Sequence, residues 1–161
     1  MSSIELILCT AAKGGDVGAV LSVWADHPGF NVNWAIRSNQ WTALHSASMN
    51  GQAEVVRLLL AHPAINFNCK TSAGSTPFFL ACMRGQVSVV SVLLKDPRVN
   101  VTMADKNGCT PLGSAAREGY HEVIEWLMAS GRELGDLNKK GAHWDVEEYT
   151  SLEIARSGVF A

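Results

Sequence analysis

The stretch Thr76-Pro77-Phe78-Phe79-Leu80-Ala81, with Gly85 shortly after it, decides how this chain folds. It recurs as Thr110-Pro111-Leu112-Gly113-Ser114-Ala115, which leads to Gly119, and as Thr42-Ala43-Leu44-His45-Ser46-Ala47, which leads to Gly51. The step from Thr42 to Thr76 is 34 residues, and the step from Thr76 to Thr110 is 34 again. The second halves keep the same register: Val55, Val56, Leu59 and Leu60 match Val89, Val90, Leu93 and Leu94, then Val123, Ile124, Leu127 and Met128. Self-similarity at a fixed period is the mark of a stacked repeat architecture.

One unit is two helices and a turn. The Thr76 hydroxyl suits a helix N-cap, and Pro77 suits the first helical position, where its missing N–H costs nothing. Gly85 falls where a helix end favours a left-handed residue. A second helix near Gln86–Lys95 then gathers Val89, Val90, Leu93 and Leu94 on one face, and Asp96-Pro97 stops it. His62-Pro63 and His27-Pro28 stop the matching helices of the neighbouring repeats. Ala73-Gly74 and Asn107-Gly108 suit tight turns. Such a pair cannot bury its apolar face alone, so neighbours stack into one elongated core. Ala47, Ala81 and Ala115 are small, as close helix packing requires, and Leu59, Leu93 and Leu127 are expected between neighbouring repeats.

On these residues the chain resembles the ankyrin-repeat family, whose unit of about 33 residues carries a T-P-L-H-x-A signature. The resemblance implies an all-α solenoid of stacked helix-turn-helix units with projecting β-hairpin fingers. It covers nearly the whole chain as one domain. Residues 1–34 read as an N-terminal capping repeat, with Leu8 to Gly15 a degenerate signature and Ser2 with Glu5 a capping box. Residues 35–69, 70–103 and 104–140 are three full repeats, and 141–161 is an insertion with a half repeat that begins at Thr150-Ser151-Leu152-Glu153-Ile154-Ala155. Ala43 stands where the family has proline, and Phe79 and Gly113 stand where it has histidine. Repeats two and three carry one extra residue around Pro63 and Pro97, and another falls between Trp34 and Thr42. The step from Thr110 to Thr150 is 40 residues, which puts about six inserted residues near Leu137–Glu148. The last segment reads as a natural half-repeat cap or as the edge of a longer protein. There Thr150–Arg156 is expected to form a helix against repeat four. Phe160 is expected to fold back or to pack against a second molecule, giving a monomer or a weak end-to-end association.

Composition agrees with a folded, unspecialised solvent surface. Of the 161 residues, 47% are hydrophobic and 17% charged, with a net charge of −2. That balance argues against general nucleic-acid binding, which needs a basic face. The first residues have no basic segment before an apolar one, and no stretch reaches the roughly 18 apolar residues that cross a bilayer. Cys9, Cys69, Cys82 and Cys109 form no C-x-x-C pair, which predicts reduced thiols and an intracellular setting, cytoplasmic or nuclear.

A search for chemistry points to no enzyme, no metal and no cofactor. His121-Glu122-Val123-Ile124-Glu125 starts like a zinc-protease helix but ends in Glu where a second histidine is needed. Lys13-Gly14-Gly15-Asp16-Val17-Gly18 lacks the ending of a phosphate loop and reads as an inter-helix turn. Cys9 and His45 hold equivalent places in adjacent repeats, about 8–10 Å apart by helix packing, too far for a nucleophile and its base. His45 is expected to bond within its own repeat. Asn100-Val101-Thr102 is a chance glycosylation sequon.

What remains is a surface. Carried over position by position, the resemblance implies partner contacts on the concave face made by finger tips and inner helices. In repeat two these are Asn39, Trp41, Ser46, Met49 and Asn50; in repeat three, Ser72, Ser75, Leu80, Met83 and Arg84, with Ala73 beside them. In repeat four they are Lys106, Asn107, Ser114, Arg117 and Glu118, with Cys109 beside them, and Tyr149 continues the line. Trp41, Met49, Met83, Arg84 and Arg117 make a mixed apolar and cationic strip that suits a partner with apolar anchors and one or two carboxylates. The competing reading has Trp41 bracing Trp34 and the methionines covering helix ends. Trp24 and Trp126, in second helices, are expected to pack. The strip fits a non-catalytic protein-interaction module with a protein partner. An architectural stack within a larger protein and an enzyme or ligand-binding protein with an unrecognised pocket are the alternatives.

Overall fold

The computed structural model of the chain describes residues 3–135. The expectations for Ser2, the 137–148 insertion, Tyr149, Thr150–Arg156 and Phe160 lie outside those residues. Eight helices make up the described part: α1 (Ser3–Gly14), α2 (Val17–Asp26), α3 (Ala43–Met49), α4 (Ala53–Ala61), α5 (Pro77–Met83), α6 (Val87–Leu94), α7 (Pro111–Glu118) and α8 (His121–Ala129). Each odd-numbered helix packs on the even-numbered helix that follows it, and the pairs stack in chain order. The result is two rows. The first helices α1, α3, α5 and α7 touch one another in succession, as do the second helices α2, α4, α6 and α8.

Local chemistry starts the first helices where the threonines stand. Thr76 Oγ1 accepts from the Phe79 N–H at 3.1 Å, and Thr110 Oγ1 accepts from the Gly113 N–H at 3.1 Å, each with proline next in line. Thr42 caps α3 in the same way without proline, through the His45 N–H at 3.4 Å. Asp16 caps α2 through the Ala19 N–H at 2.9 Å.

One apolar core runs through all four helix pairs. Leu59, Leu93 and Leu127 are each wholly buried, as the register predicts, and so are Ala47, Ala81 and Ala115. Three further sets of contacts tie repeat to repeat. Gln52 Nε2 donates to the Lys13 carbonyl at 3.2 Å, and Gln86 Nε2 donates to the Met49 carbonyl at 3.0 Å. Tyr120 holds the same place in repeat four, and its ring covers Gly85, where φ is +65° and an added Cβ would meet the ring at 2.7 Å. Gly85 is thus required by the clasp from the next repeat as well as by its left-handed backbone.

The second set is a ladder of asparagines. Asn33 donates to the Ala64 carbonyl at 2.6 Å and accepts from the Asn66 N–H at 2.7 Å. Asn68 repeats the pattern with the Arg98 carbonyl at 2.9 Å and the Asn100 N–H at 2.7 Å. The third is Arg132, whose guanidinium donates to the carbonyls of Leu94, Asp96, Pro97 and Val99, the shortest at 2.6 Å.

The all-α solenoid holds, but the described residues form no β-strand. The expected hairpin fingers are tight turns with a single β-bridge, Ile36 to Trp41. The Thr71 N–H donates to the Ser75 carbonyl, and the Asp105 N–H to the Cys109 carbonyl, both at 3.0 Å. Adjacent turns are joined by Ser72 N–H to Asn39 carbonyl at 2.9 Å and Lys106 N–H to Ala73 carbonyl at 3.0 Å.

Candidate functional site

His45 lies at the junction between repeats two and three. It is wholly buried. The Thr42 N–H donates to its Nδ1 at 3.2 Å, so Nε2 carries the proton and donates to the Cys69 carbonyl at 3.1 Å and the Ser75 carbonyl at 3.2 Å. The expectation of bonding within one repeat is therefore half right: Nδ1 stays at home, and Nε2 reaches the turn of the next repeat. Burial drives the ring's pKa down to about 4, against the pull of the two carbonyls. Cys9 shows no sign of thiol activation. Burial first, and the Glu5 carboxylate second, push its thiol up to about 11, opposite to the shift an activated thiol needs. Among the described residues, no three His, Cys, Asp or Glu side chains gather in a way that would hold a metal ion.

The strip expected from the sequence divides by burial. Ser46, Ser75, Leu80 and Ser114 are buried, because the first helices stack side by side and enclose these positions. They offer a partner almost no surface. Ser72, Arg84, Lys106, Asn107, Arg117, Glu118 and Asn50 are exposed, and Asn39, Trp41 and Met49 with Met83 are half-buried. Asn39 is partly engaged, since its Oδ1 accepts from the Trp41 N–H at 3.1 Å. Tyr149 lies outside the described residues.

A second apolar cluster stands apart from the core on this side. Phe79, Leu80 and Cys109 are its buried members, and Trp41, Met49 and Met83 pack around them half-exposed. Every member comes from a first helix or from the turn that precedes one. Trp41 sits 6.2 Å from His45, ring to ring, while Trp34 packs on the main core. Leu80 breaks the register here: Ser46 and Ser114 stand at the equivalent positions of the repeats on either side.

Charges ring the cluster. The Cys109 thiol is pushed up by burial first and by Asp105 next, with Arg117 pulling the other way and Glu118 adding to the rise. These three charged side chains therefore border it. Arg117 and Glu118 pair at 2.7 Å. Asp105 turns its carboxylate inward, where Oδ1 accepts the N–H groups of Asn107 and Cys109, both at 2.9 Å. Arg84 follows Met83 directly as the cap of α5.

The second-helix side differs from expectation at one residue. Trp24 packs, with its ring 5.5 Å from that of His62, which also meets Phe30. Trp126 is 40% exposed, and Met128, in line with the buried Leu94, is 47% exposed. The register places Trp126 in line with the buried Val92, but α6 has α8 packed beyond it, and among the described residues no helix packs beyond α8. Among the described residues no helix is long and apolar enough to cross a membrane.

Comparison with known proteins agrees with this geometry. A stretch of 51 residues, 32% of this chain, is 45% identical to Ankyrin repeat and SOCS box protein 3 of Bos taurus. The match spans only 10% of that relative's length. The family model for "Ankyrin repeats (3 copies)" matches residues 4–71 and again residues 62–140. With well over half of its length matched and a helix pair in each repeat, the chain belongs to the ankyrin-repeat family.

Proposed function

We propose that this chain is a non-catalytic interaction module that binds a protein partner through the face made by the first helices and the turns before them. Ankyrin repeats are generally protein–protein interaction modules. The observation that carries the choice of face is the second apolar cluster. It places a tryptophan and two methionines, half-exposed, between repeats two and three. Trp and Met are enriched where proteins bury surface against one another. A stack held only by its core has no need of a separate cluster on one side. The four unpaired thiols suit an intracellular setting.

The test is affinity capture from cell extract with three full-length baits: the unaltered chain, Trp41→Ala/Met83→Ala, and Trp126→Ala as a control on the second-helix side. Proteins held by the unaltered chain and by Trp126→Ala, and lost from the double variant at unchanged helical content, support the reading. Capture that survives the double substitution and fails with Trp126→Ala moves the binding face to the other side.

A further inference from the structure

We infer that the partner's contacting element is an acidic protein segment, one bulky apolar side chain flanked by carboxylates, seated over Met49 and Met83 with a carboxylate on Arg84. This rests on the proposed binding face and adds the chemistry of its occupant.

The apolar part follows from the cluster. Met49 and Met83 close α3 and α5 at equivalent positions one repeat apart, and Trp41 walls the same space from the turn before α3. Adjacent helices lie about 8–10 Å apart, so a single Leu- or Phe-sized side chain laid across the ends of α3 and α5 can touch both thioethers. Methionine is unbranched and polarisable, and it adapts to whichever apolar group enters. Leu80 is a buried member of the cluster on which both methionines pack, so the surface offered is apolar. In the neighbouring repeats the same position is serine, which confines the apolar seat to repeat three and its edge with repeat two.

The acidic part follows from charge. Residues 35–120 hold eight basic against four acidic residues, whereas the rest of the chain holds five against eleven. The central repeats are thus positive in a chain whose net charge is −2. On the proposed face the two acids beside the cluster are already engaged: Asp105 by its own turn and Glu118 by Arg117. Among the described residues neither Arg84 nor Lys106 has an acidic partner, and both are exposed. A carboxylate one or two residues from the apolar anchor meets the Arg84 guanidinium, which takes it in a two-pronged bond. Complementary charge of this kind sets partner choice and association rate more than raw affinity.

The probe is a phage-displayed library of random peptides panned on the full chain. Winners are synthesised and titrated by fluorescence polarisation against the unaltered chain, Trp41→Ala/Met83→Ala and Arg84→Glu, alongside a single-stranded DNA oligonucleotide. The expected winners carry Leu, Phe or Met within a few residues of Asp or Glu. They bind roughly tenfold more weakly to the double variant and about three- to tenfold more weakly to Arg84→Glu, as loss of central contacts does. Arg84 is exposed, so its reversal tests the charge without touching the core. Winners that are basic or uncharged yet still need Trp41 and Met83 overturn the acidic partner and leave the binding face standing. Winners that bind the double variant undiminished overturn the face itself. No enrichment, or binding of the oligonucleotide alone, overturns the acidic-segment inference.

Discussion

Acidification should unlock the junction between repeats two and three through His45. Its Nδ1 is occupied by the Thr42 N–H, and its Nε2–H is shared by the carbonyls of Cys69 and Ser75. A second proton must go on Nδ1, where it faces another N–H, and the new charge is buried. Cys69 Sγ, 3.9 Å from Nδ1, and the Thr42 hydroxyl are the polar groups at hand, and neither carries a negative charge to compensate. Burial therefore holds the folded pKa at about 4, below the ordinary 6.5. The unfolded chain takes the proton first as pH falls, so the contribution to stability is whole above about pH 6.5 and drains away towards pH 4. The gap between those two values corresponds to about 3.4 kcal/mol in the limit, and to about 2 kcal/mol at pH 5. Urea melts followed by circular dichroism at pH 7.5 and pH 5 measure it, with His45→Gln as the comparison. The unaltered chain should lose about 2 kcal/mol more than His45→Gln between the two conditions. Equal losses in the two proteins would refute the reasoning, because the other titrating groups are common to both.

Three further substitutions probe the stack. Leu93→Ala removes a wholly buried side chain between neighbouring repeats and should cost about 2–5 kcal/mol in denaturant melts, whereas a loss below about 0.5 kcal/mol contradicts its place in the core. Gln40 sits at φ +59°, outside the glycine-rich set of left-handed residues. Gln40→Gly relieves that strain and should raise stability by about 0.5–1 kcal/mol after glycine's own entropy cost, and a lowered melting temperature counts against it. Arg132→Ala leaves the carbonyls of Leu94, Asp96, Pro97 and Val99 without their shared donor and should cost about 1.5–3 kcal/mol. Arg132→Lys should recover less than half, since an ammonium cannot fork between four oxygens; full recovery shows that only the charge matters.

What the sequence makes legible is what stacking repeats every 34 residues. Thr42, Thr76 and Thr110 cap helices because a hydroxyl at that place always meets the same backbone N–H, and Leu59, Leu93 and Leu127 are buried because a neighbour always lies against them. Roles that depend on conformation or on the next repeat are harder to see. Gln52, Gln86 and Tyr120 share one position and one task, but two amides and a phenol do not resemble each other as letters. Gln40 holds a left-handed turn that glycine holds at 74 and 108, and nothing in glutamine announces it. The finger hairpins implied by the resemblance are not shown: the described residues there carry turns and a single β-bridge, without a strand. The buried serines, Leu80 and the exposed Trp126 depart from expectation for a common reason: register says which way a residue points, and the volume of its neighbours says how much of it is covered.

That same logic explains where function can be read. A residue that recurs is accounted for by the stack, so it carries little information about a partner. The positions that break the register are different. Leu80 lies between Ser46 and Ser114, and Arg84 lies between Asn50 and Glu118 at the following position. Both breaks fall in repeat three, both on the first-helix side, and Met83 joins them. Stacking would be served as well by the serine and by the small amide. Leu80 packs with side chains of repeats two and four, while the arginine one turn on stands exposed and takes no part in that packing. Their coincidence in one repeat is the reason to look for the partner there.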